Sequence, residues 1–179
     1  FDRDSILPLS SAFAPNLQTV FARLGGRAVA VLASQPLALA GSLDAASSRK
    51  GGAFLKLANA LRMPVITLVD VPGYFPGRKQ EEEGVLPFGA QLLEGYAQAK
   101  VPQVCLVLRK DYGAGSVLSF GADVRLGFPM ARVGAMGADA AVNVVLGPRP
   151  NDPAAAAKWE ELRAEWIRVK DHAWAAAEE

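Results

Sequence analysis

Short apolar runs, separated by glycine- and proline-rich stretches, dominate the hydrophobic pattern of the chain. Several of these runs have the length and residue types of β-strands. The predicted strands cover residues 17–23, 27–34, 65–69, 103–108, 123–126 and 131–134. Leu24, Gly25 and Gly26 separate the first two, and the paired glycines predict a tight hairpin. The run at 65–69 is apolar throughout, which is typical of a parallel strand covered on both faces of its sheet.

Helical spacing of apolar residues alternates with these strands. A first helix, with apolar positions 54, 57, 58 and 61, is predicted to begin near Ser47 and Ser48 as caps and to end before Pro64. Further helices are predicted at residues 88–100, from Tyr112 onward, at 138–145 and at 154–179. The last is rich in alanine and carries Leu162, Trp166 and Val169 at helical spacing, so we expect it to pack on the domain or on a partner. The alternation predicts an α/β fold with right-handed crossovers.

Composition and charge narrow the function classes. The 179 residues are 51% hydrophobic and carry a net charge of +1, which favours one globular domain and argues against a nucleic-acid binder. The single cysteine, Cys105, lies in an apolar run and is predicted to be a buried thiol. The single histidine, His172, is predicted on a helix surface, and one histidine with one cysteine excludes a histidine-rich or cysteine-rich metal site.

The hydropathy of the chain and its first residue lead to expectations about its cellular location and about whether it is part of a longer protein. No apolar run reaches the roughly 18–20 residues that span a bilayer, and no signal peptide is present, so we expect a cytoplasmic protein without membrane contact. The chain begins at Phe1 rather than at methionine. We therefore expect it to be a piece of something longer.

Two glycine-rich loops, each after a predicted buried strand, are the candidate sites. The first contains Gly73 and Tyr74, and the second Tyr112 followed by Gly113-Ala114-Gly115. Ligands of α/β sheets bind where strands give way to loops, and free N–H groups at a helix start can hold a developing oxyanion. Ordinary turns would have the same composition.

Charged side chains near these loops allow two interpretations each. The run Glu81-Glu82-Glu83 could supply a general base, although a solvated loop is the simpler interpretation. Arg109 and Lys110 could bind a carboxylate or a phosphate, or could mark the polar rim of the sheet.

A longer string of residues gives a more specific signal than either loop alone. Residues 70–77 read Asp-Val-Pro-Gly-Tyr-Phe-Pro-Gly and are followed by Gln80-Glu81 and Gly84, which resembles the signature of biotin-dependent acyl-CoA carboxyltransferases. Further similar strings follow in the same order as in that family, at residues 22–27, 35–36, 41–44, 89–93, 101–102, 109–110, 134–138 and 141–143. The resemblance covers roughly residues 1–146. It identifies the chain as the C-terminal carboxyltransferase domain of an acetyl- or propionyl-CoA carboxylase beta subunit.

The resemblance implies a fold and a set of partners. The fold is α/β, of the crotonase-like (ClpP/crotonase) type with repeated ββα units, over residues 1–150, followed by a C-terminal helical extension over 151–179. In the family the active site forms between this domain and an N-terminal carboxyltransferase domain that holds most of the coenzyme A. The resemblance therefore implies a homo- or hetero-oligomer, with biotin carried on a biotin carboxyl carrier or biotin carboxylase subunit.

The implied reaction transfers a carboxyl group from carboxybiotin to the α-carbon of a short acyl-CoA. Backbone N–H groups, carried over by position to Ala114 and Gly115, would stabilise negative charge on the biotin ureido oxygen. Gly73, Tyr74, Tyr112 and Gly113 would form the surrounding binding surface. The acyl-selecting position of the family falls near Val117, and an apolar residue there favours short, unbranched acyl groups.

This sequence departs from the family pattern next to the candidate site. The family has Tyr-Gly-Gly-Ala-Tyr and a longer stretch before its Gly-Ala-Asp, and around four residues are missing before Gly121-Ala122-Asp123. Phe88 stands where the family often has histidine. Two alternatives stay open: a non-catalytic assembly subunit, or a crotonase-type acyl-CoA decarboxylase, isomerase or hydrolase. The last would need a carboxylate from the Glu81–Glu83 run or from Asp111.

Overall fold

Seven strands form one mixed sheet within residues 1–172, the part of the chain that the computed structural model describes. The strands are β1 Leu7–Leu9, β2 Leu17–Leu24, β3 Arg27–Ser34, β4 Val65–Val71, β5 Gln103–Tyr112, β6 Val124–Gly127 and β7 Arg132–Gly134. Their order is β1-β2-β3-β4-β5-β6, and β7 pairs with the end of β5. The pairs β1–β2 and β2–β3 are antiparallel, and every later pair is parallel. The predicted α/β fold is confirmed.

The helices are α1 Ala45–Ala60, α2 Arg78–Glu82, α3 Val85–Gln98, α4 Ala138–Leu146 and α5 Pro153–Val169. Helices α1 to α3 connect parallel strands, and α4 and α5 follow the last strand. A short 3-10 helix covers Leu39–Gly41, and a longer one, the 3-10 segment, covers Gly113–Ser119. None of the helices in the described part of the chain is long and apolar enough to cross a membrane.

Three details of the sequence interpretation were wrong, and one strand, β1, which pairs with β2, was not predicted. The cap of α1 is Asp44, whose side chain accepts the N–H of Ser47 in a capping box, so Ser47 is the third helical residue. The charged run after Gly77 is α2 rather than a loop. The last helix ends at Val169, and His172 follows it, while the predicted continuation at 173–179 lies outside the described residues.

The main core lies between one face of the sheet and helices α1 and α3. Leu32, Val69 and Cys105 from the strands meet Phe54 and Leu92 from the helices, all of them buried. Small residues bring the two helices close together. A Cβ at Gly51 would lie 2.8 Å from Leu92 Cδ1, so this glycine leaves room that α3 fills. The predicted burial of the Cys105 thiol is confirmed.

The opposite face of the sheet is covered less completely than expected. A small cluster of buried residues, Ala22, Val29 and Val31, lies there. Ile66 and Leu68 of β4 pack against it but are only half-buried. The apolar run of β4 therefore lies under helices on one face alone, and the prediction of a strand covered on both faces was half right.

The C-terminal helix α5 lies against α4. Trp159 is buried and its indole N–H donates to the carbonyl of Gly147 at 3.3 Å. Arg163 of α5 forms an ion pair with Asp139 of α4. These contacts agree with the expectation that the helix packs on the domain. The boundary proposed near residue 150 stays a prediction.

Candidate functional site

The two glycine-rich loops predicted from the sequence lie side by side. Each follows one of two neighbouring parallel strands, since β4 pairs with β5 through Val69 with Val107 and Val71 with Asp111. β4 leads into Gly73 and Tyr74, and β5 leads into the 3-10 segment. Parallel strands present their carboxyl ends at the same edge, where ligands of α/β sheets bind.

A groove of about 640 Å³ opens between these loops and the exposed face of α3. One wall is the 3-10 segment, which contributes Gly113, Ala114, Ser116 and Val117. The rest of the surface is largely aromatic and aliphatic. It is formed by Tyr74, Phe75, Val85, Leu86, Leu93 and Phe120, together with Gly89, Ala90, Pro76 and Glu81. A groove with this lining suits a ligand that is apolar over most of its surface.

Contacts with helices α1 and α3 hold Tyr74 in place. Its hydroxyl accepts a hydrogen bond from Ser48 Oγ at 3.3 Å. A Cβ at Gly89 would lie 2.9 Å from that hydroxyl, so the glycine in α3 makes room for the ring. Burial raises the pKa of the Tyr74 hydroxyl, and the Ser48 hydrogen bond lowers it by less. Tyr74 is therefore a neutral, fixed part of the groove.

The 3-10 segment begins with backbone N–H groups that its own helix leaves unpaired. In a 3-10 helix each N–H donates to the carbonyl three residues earlier. Since the segment begins at Gly113 after Tyr112, the amides of Gly113 and Ala114 have no acceptor within it. The amide of Gly115 is the first that this pattern pairs, with the Tyr112 carbonyl. Gly113 and Ala114, whose amides the helix leaves without an internal acceptor, both line the groove.

The length of the connection explains why this helix is 3-10. β6 runs parallel to β5 and begins beside its start, with Val124 opposite Val104. The chain must therefore return from Tyr112 over about 26 Å of β5. Seven residues of 3-10 helix supply about 14 Å of this distance, whereas an α-helix of the same residues would be roughly 3.5 Å shorter. A connection this short thus favours the 3-10 helix, which is longer per residue than an α-helix.

The seven residues predicted from the sequence occupy two layers. Tyr74, Gly113, Ala114 and Val117 line the groove. The other three, Gly73, Tyr112 and Gly115, support it from behind. Gly115 is buried against β4, where an added Cβ would lie 2.8 Å from Val71 Cγ2 and 3.2 Å from the Cα of Gly73.

Tyr112 joins the start of the 3-10 segment to the C-terminal part of the chain. Its hydroxyl donates to Asp171 Oδ1 at 2.5 Å, and Arg132 pairs with Asp171 Oδ2 at 3.3 Å. Asp171 is buried. Burial, together with the Asp171 carboxylate, raises the pKa of the Tyr112 hydroxyl. The side chain therefore stays protonated and donates, which fixes the residue before the groove wall.

The charged candidate residues also differ in whether they line the groove or form ion pairs elsewhere. Arg109 binds both carboxylate oxygens of the buried Asp70, with Nε at 3.0 and 3.2 Å, so its guanidinium serves an internal ion pair. Of the glutamates, Glu82 pairs with Arg78 and Glu83 with Lys79 along α2. Glu81 alone of this run lines the groove. Asp111 is fully buried.

Several apolar groove residues were missed from the sequence. Among them, Leu86 and Leu93 lie on the exposed face of α3, and Phe120 follows the 3-10 segment. A signal was available on α3, because Leu86 and Leu93 are seven positions apart with the small residues Gly89 and Ala90 between them. That pattern indicates a second apolar face on a helix whose first face is already in the core.

Comparisons with known proteins agree with this arrangement. The carboxyl transferase domain family matches residues 1–175. The chain is 44% identical over 148 residues to the propionyl-CoA carboxylase beta chain of Saccharopolyspora erythraea, covering 80% of this chain and 27% of that protein. It is 40% identical over 149 residues to the methylmalonyl-CoA carboxyltransferase 12S subunit of Propionibacterium freudenreichii subsp. shermanii, covering 80% and 28%.

A solved structure gives the same fold. The transcarboxylase 12S hexamer, with methylmalonyl-coenzyme A and methylmalonic acid bound, superimposes with a TM-score of 0.90 at 35% identity, over 98% of this chain and 35% of that one. The chain therefore spans about a third of the length of these relatives. The predicted crotonase-like fold is confirmed, and the chain belongs to the carboxyl transferase domain family.

Proposed function

We propose that this chain is the biotin-side half of an acyl-CoA carboxyltransferase, which moves a carboxyl group between biotin on a carrier protein and the α-carbon of a short acyl-CoA. The observation that carries the proposal is the groove. It combines an apolar surface with the start of the 3-10 segment in one wall, where the N–H groups of Gly113 and Ala114 have no acceptor within the helix.

The lining residues fit the chemistry of biotin. Its ring system is largely apolar and presents one ureido carbonyl as a strong acceptor. Tyr74, Phe75 and Val117 supply the apolar surface, and the N–H groups of the 3-10 segment supply donors. When bound, carboxybiotin supplies the carboxyl group. The residues of this chain orient the ring, exclude water and stabilise negative charge that develops on the carbonyl oxygen.

The substrate and partners are proposed from the relatives. The S. erythraea relative is named for propionyl-CoA and the P. freudenreichii relative for methylmalonyl-CoA, so we propose a short acyl-CoA for this chain. The solved relative is a hexamer, and we propose an oligomer here as well. The partners would be an N-terminal carboxyltransferase domain, which supplies the coenzyme A side, and a biotin carboxyl carrier or biotin carboxylase subunit.

The test is the reverse half-reaction, decarboxylation of malonyl-CoA and methylmalonyl-CoA with free biotin present. It is run on this chain assembled with an N-terminal carboxyltransferase domain. The change is Ala114→Pro, which removes one N–H from the groove wall at a helix start, where proline is tolerated. Loss of one oxyanion donor is expected to lower kcat by about 100-fold.

The matched control is Ala114→Gly, which keeps the N–H and is expected to keep most of the turnover. Ala114 is a better position for proline than Gly115, because a ring at Gly115 would collide with Val71 and confuse loss of a donor with loss of packing. Circular dichroism and the unfolding midpoint establish that both variants are folded. Undiminished turnover in a folded Ala114→Pro variant would remove the amide from the mechanism. Absence of biotin-dependent turnover in the unaltered assembly would favour the non-catalytic assembly subunit.

A further inference from the structure

A buried charge lies directly behind the groove wall. Asp111 is fully buried near the end of β5, and its Oδ2 accepts hydrogen bonds from Ser119 Oγ at 2.8 Å and from Arg125 Nη2 at 2.5 Å. Ser119 is the last residue of the 3-10 segment, and Arg125 lies in β6. One carboxylate oxygen therefore ties together the strand before the connection, the end of the connection and the strand after it.

The cost of this arrangement argues that it does more than stabilise the fold. Within residues 1–172, Asp111 Oδ1 is buried and has no hydrogen-bond partner. A buried carboxylate with one unpaired oxygen is expensive, and apolar side chains commonly stabilise such a site as well or better. What an apolar replacement could not supply is a directional link to Ser119 and Arg125. The carboxylate therefore specifies the geometry of the residues that it binds.

The geometry concerned is that of the groove wall. A 3-10 helix longer than three or four residues is uncommon because its hydrogen bonds are poorly aligned, and this one has seven residues. Outside contacts must hold it. At its start Gly115 lies against Val71, in its second half Leu118 is buried in the core, and at its end Ser119 is bound by Asp111.

We propose that Asp111, acting through Ser119, is a positioning residue that holds the 3-10 segment as the wall of the groove. This inference rests on the proposed function for its consequence in catalysis. Loss of the Asp111–Ser119 link would let the segment relax from its extended 3-10 form. Ala114 and Val117, which line the groove from this segment, would then leave their places even though neither of them touches the carboxylate.

The test uses Ser119→Ala, which removes the hydroxyl and leaves the Asp111–Arg125 ion pair. Because that hydroxyl also lies 3.0 Å from the Ser116 carbonyl, Asp111→Asn is measured beside it and leaves the Ser116 contact in place. Its control is Val29→Ala, which removes buried side-chain atoms on the opposite face of the sheet. Amide hydrogen exchange of this chain is followed by mass spectrometry in peptides that cover residues 113–122. The unaltered chain and both variants are then assembled with the N-terminal carboxyltransferase domain for steady-state kinetics with free biotin.

Ser119→Ala is expected to raise exchange in residues 113–119 about tenfold, as loss of a hydrogen bond to a charged group would do. It is also expected to lower kcat/KM for free biotin while the KM for the acyl-CoA stays unchanged. Val29→Ala is expected to change neither, although it lowers the unfolding midpoint. Asp111→Asn, which keeps the shape of the side chain, should act in the same direction as Ser119→Ala.

Unchanged exchange at 113–119 in Ser119→Ala would overturn the positioning role, and so would equal effects in Val29→Ala. If the unaltered assembly shows no turnover while exchange rises only in Ser119→Ala, the proposed function fails and the mechanical link to the segment stands. The two ideas can therefore fail separately.

Discussion

A methyl group added at Gly115 tests whether the 3-10 segment is seated on β4 as the groove requires. A Cβ at this position would lie 2.8 Å from Val71 Cγ2 and 3.0 Å from Val71 Cγ1. Neither methyl can move far, because Val71 is fully buried. Overpacking of this kind costs about 1–3 kcal/mol, so Gly115→Ala is expected to lower the free energy of unfolding by about 2 kcal/mol.

Removing the methyls that cause the collision should relieve most of it. Val71→Ala alone leaves a cavity and is expected to cost about 2 kcal/mol. In the double variant the alanine at position 115 fills part of that space, so the two costs should not add. We expect the double variant to be at least about 1 kcal/mol more stable than the sum of the single changes predicts, which is a typical coupling for residues in contact.

The assay is urea unfolding of the parent, both single variants and the double variant, followed by far-ultraviolet circular dichroism. Gly127→Ala is the matched control. A Cβ there meets Ala131 Cβ only at 3.6 Å, so it should cost less than about 0.5 kcal/mol and show no coupling to Val71→Ala. Additive costs at positions 71 and 115, within about 0.5 kcal/mol, would refute the seating of the segment on β4.

Two further predictions concern groups with raised pKa values. Burial, with a smaller contribution from the charge of Asp111, raises the pKa of the Cys105 thiol to about 12, so iodoacetamide at neutral pH should label it only as fast as the protein unfolds. Rapid labelling of the native protein would contradict this burial. Because the pKa of Tyr112 is raised above its ordinary 10.0, its stabilisation is complete below that pH and decreases above it. The stability advantage of the parent over Tyr112→Phe should therefore shrink above pH 10, and an advantage that grows with pH would exclude the Tyr112–Asp171 hydrogen bond.

Local patterns in the sequence predicted much of the fold. The hairpin between β2 and β3 follows from Gly25 and Gly26, whose φ angles of +59° and +79° few other residues adopt. The parallel strands β4 and β5 follow from their apolar runs, and their carboxyl ends identify the edge where the groove lies. Each of these features depends on residues that are near neighbours in the chain.

Contacts between distant residues could not be predicted in this way. The groove needs α3 to lie opposite the 3-10 segment, and the spacing of Leu86 and Leu93 indicates a second apolar face without showing which element that face meets. The hydrogen bond from Tyr112 to Asp171 spans 59 positions, and the link from Asp111 to Ser119 depends on a tight return of the chain. A serine and an aspartate in these positions carry no periodic signal.

The shortened connection after β5 bears on whether the groove can work. Its start is fixed, because Gly115 lies against Val71 and Tyr112 is bonded to Asp171. Beyond Ser119, where Gly121 and Asp123 are exposed, the remaining residues complete the return to β6. A 3-10 helix gains length per residue and still leaves its first amides unpaired, as an α-helix would. A short connection can thus form the groove wall as a 3-10 helix and still place the amides at the start of that helix in residues that line the groove.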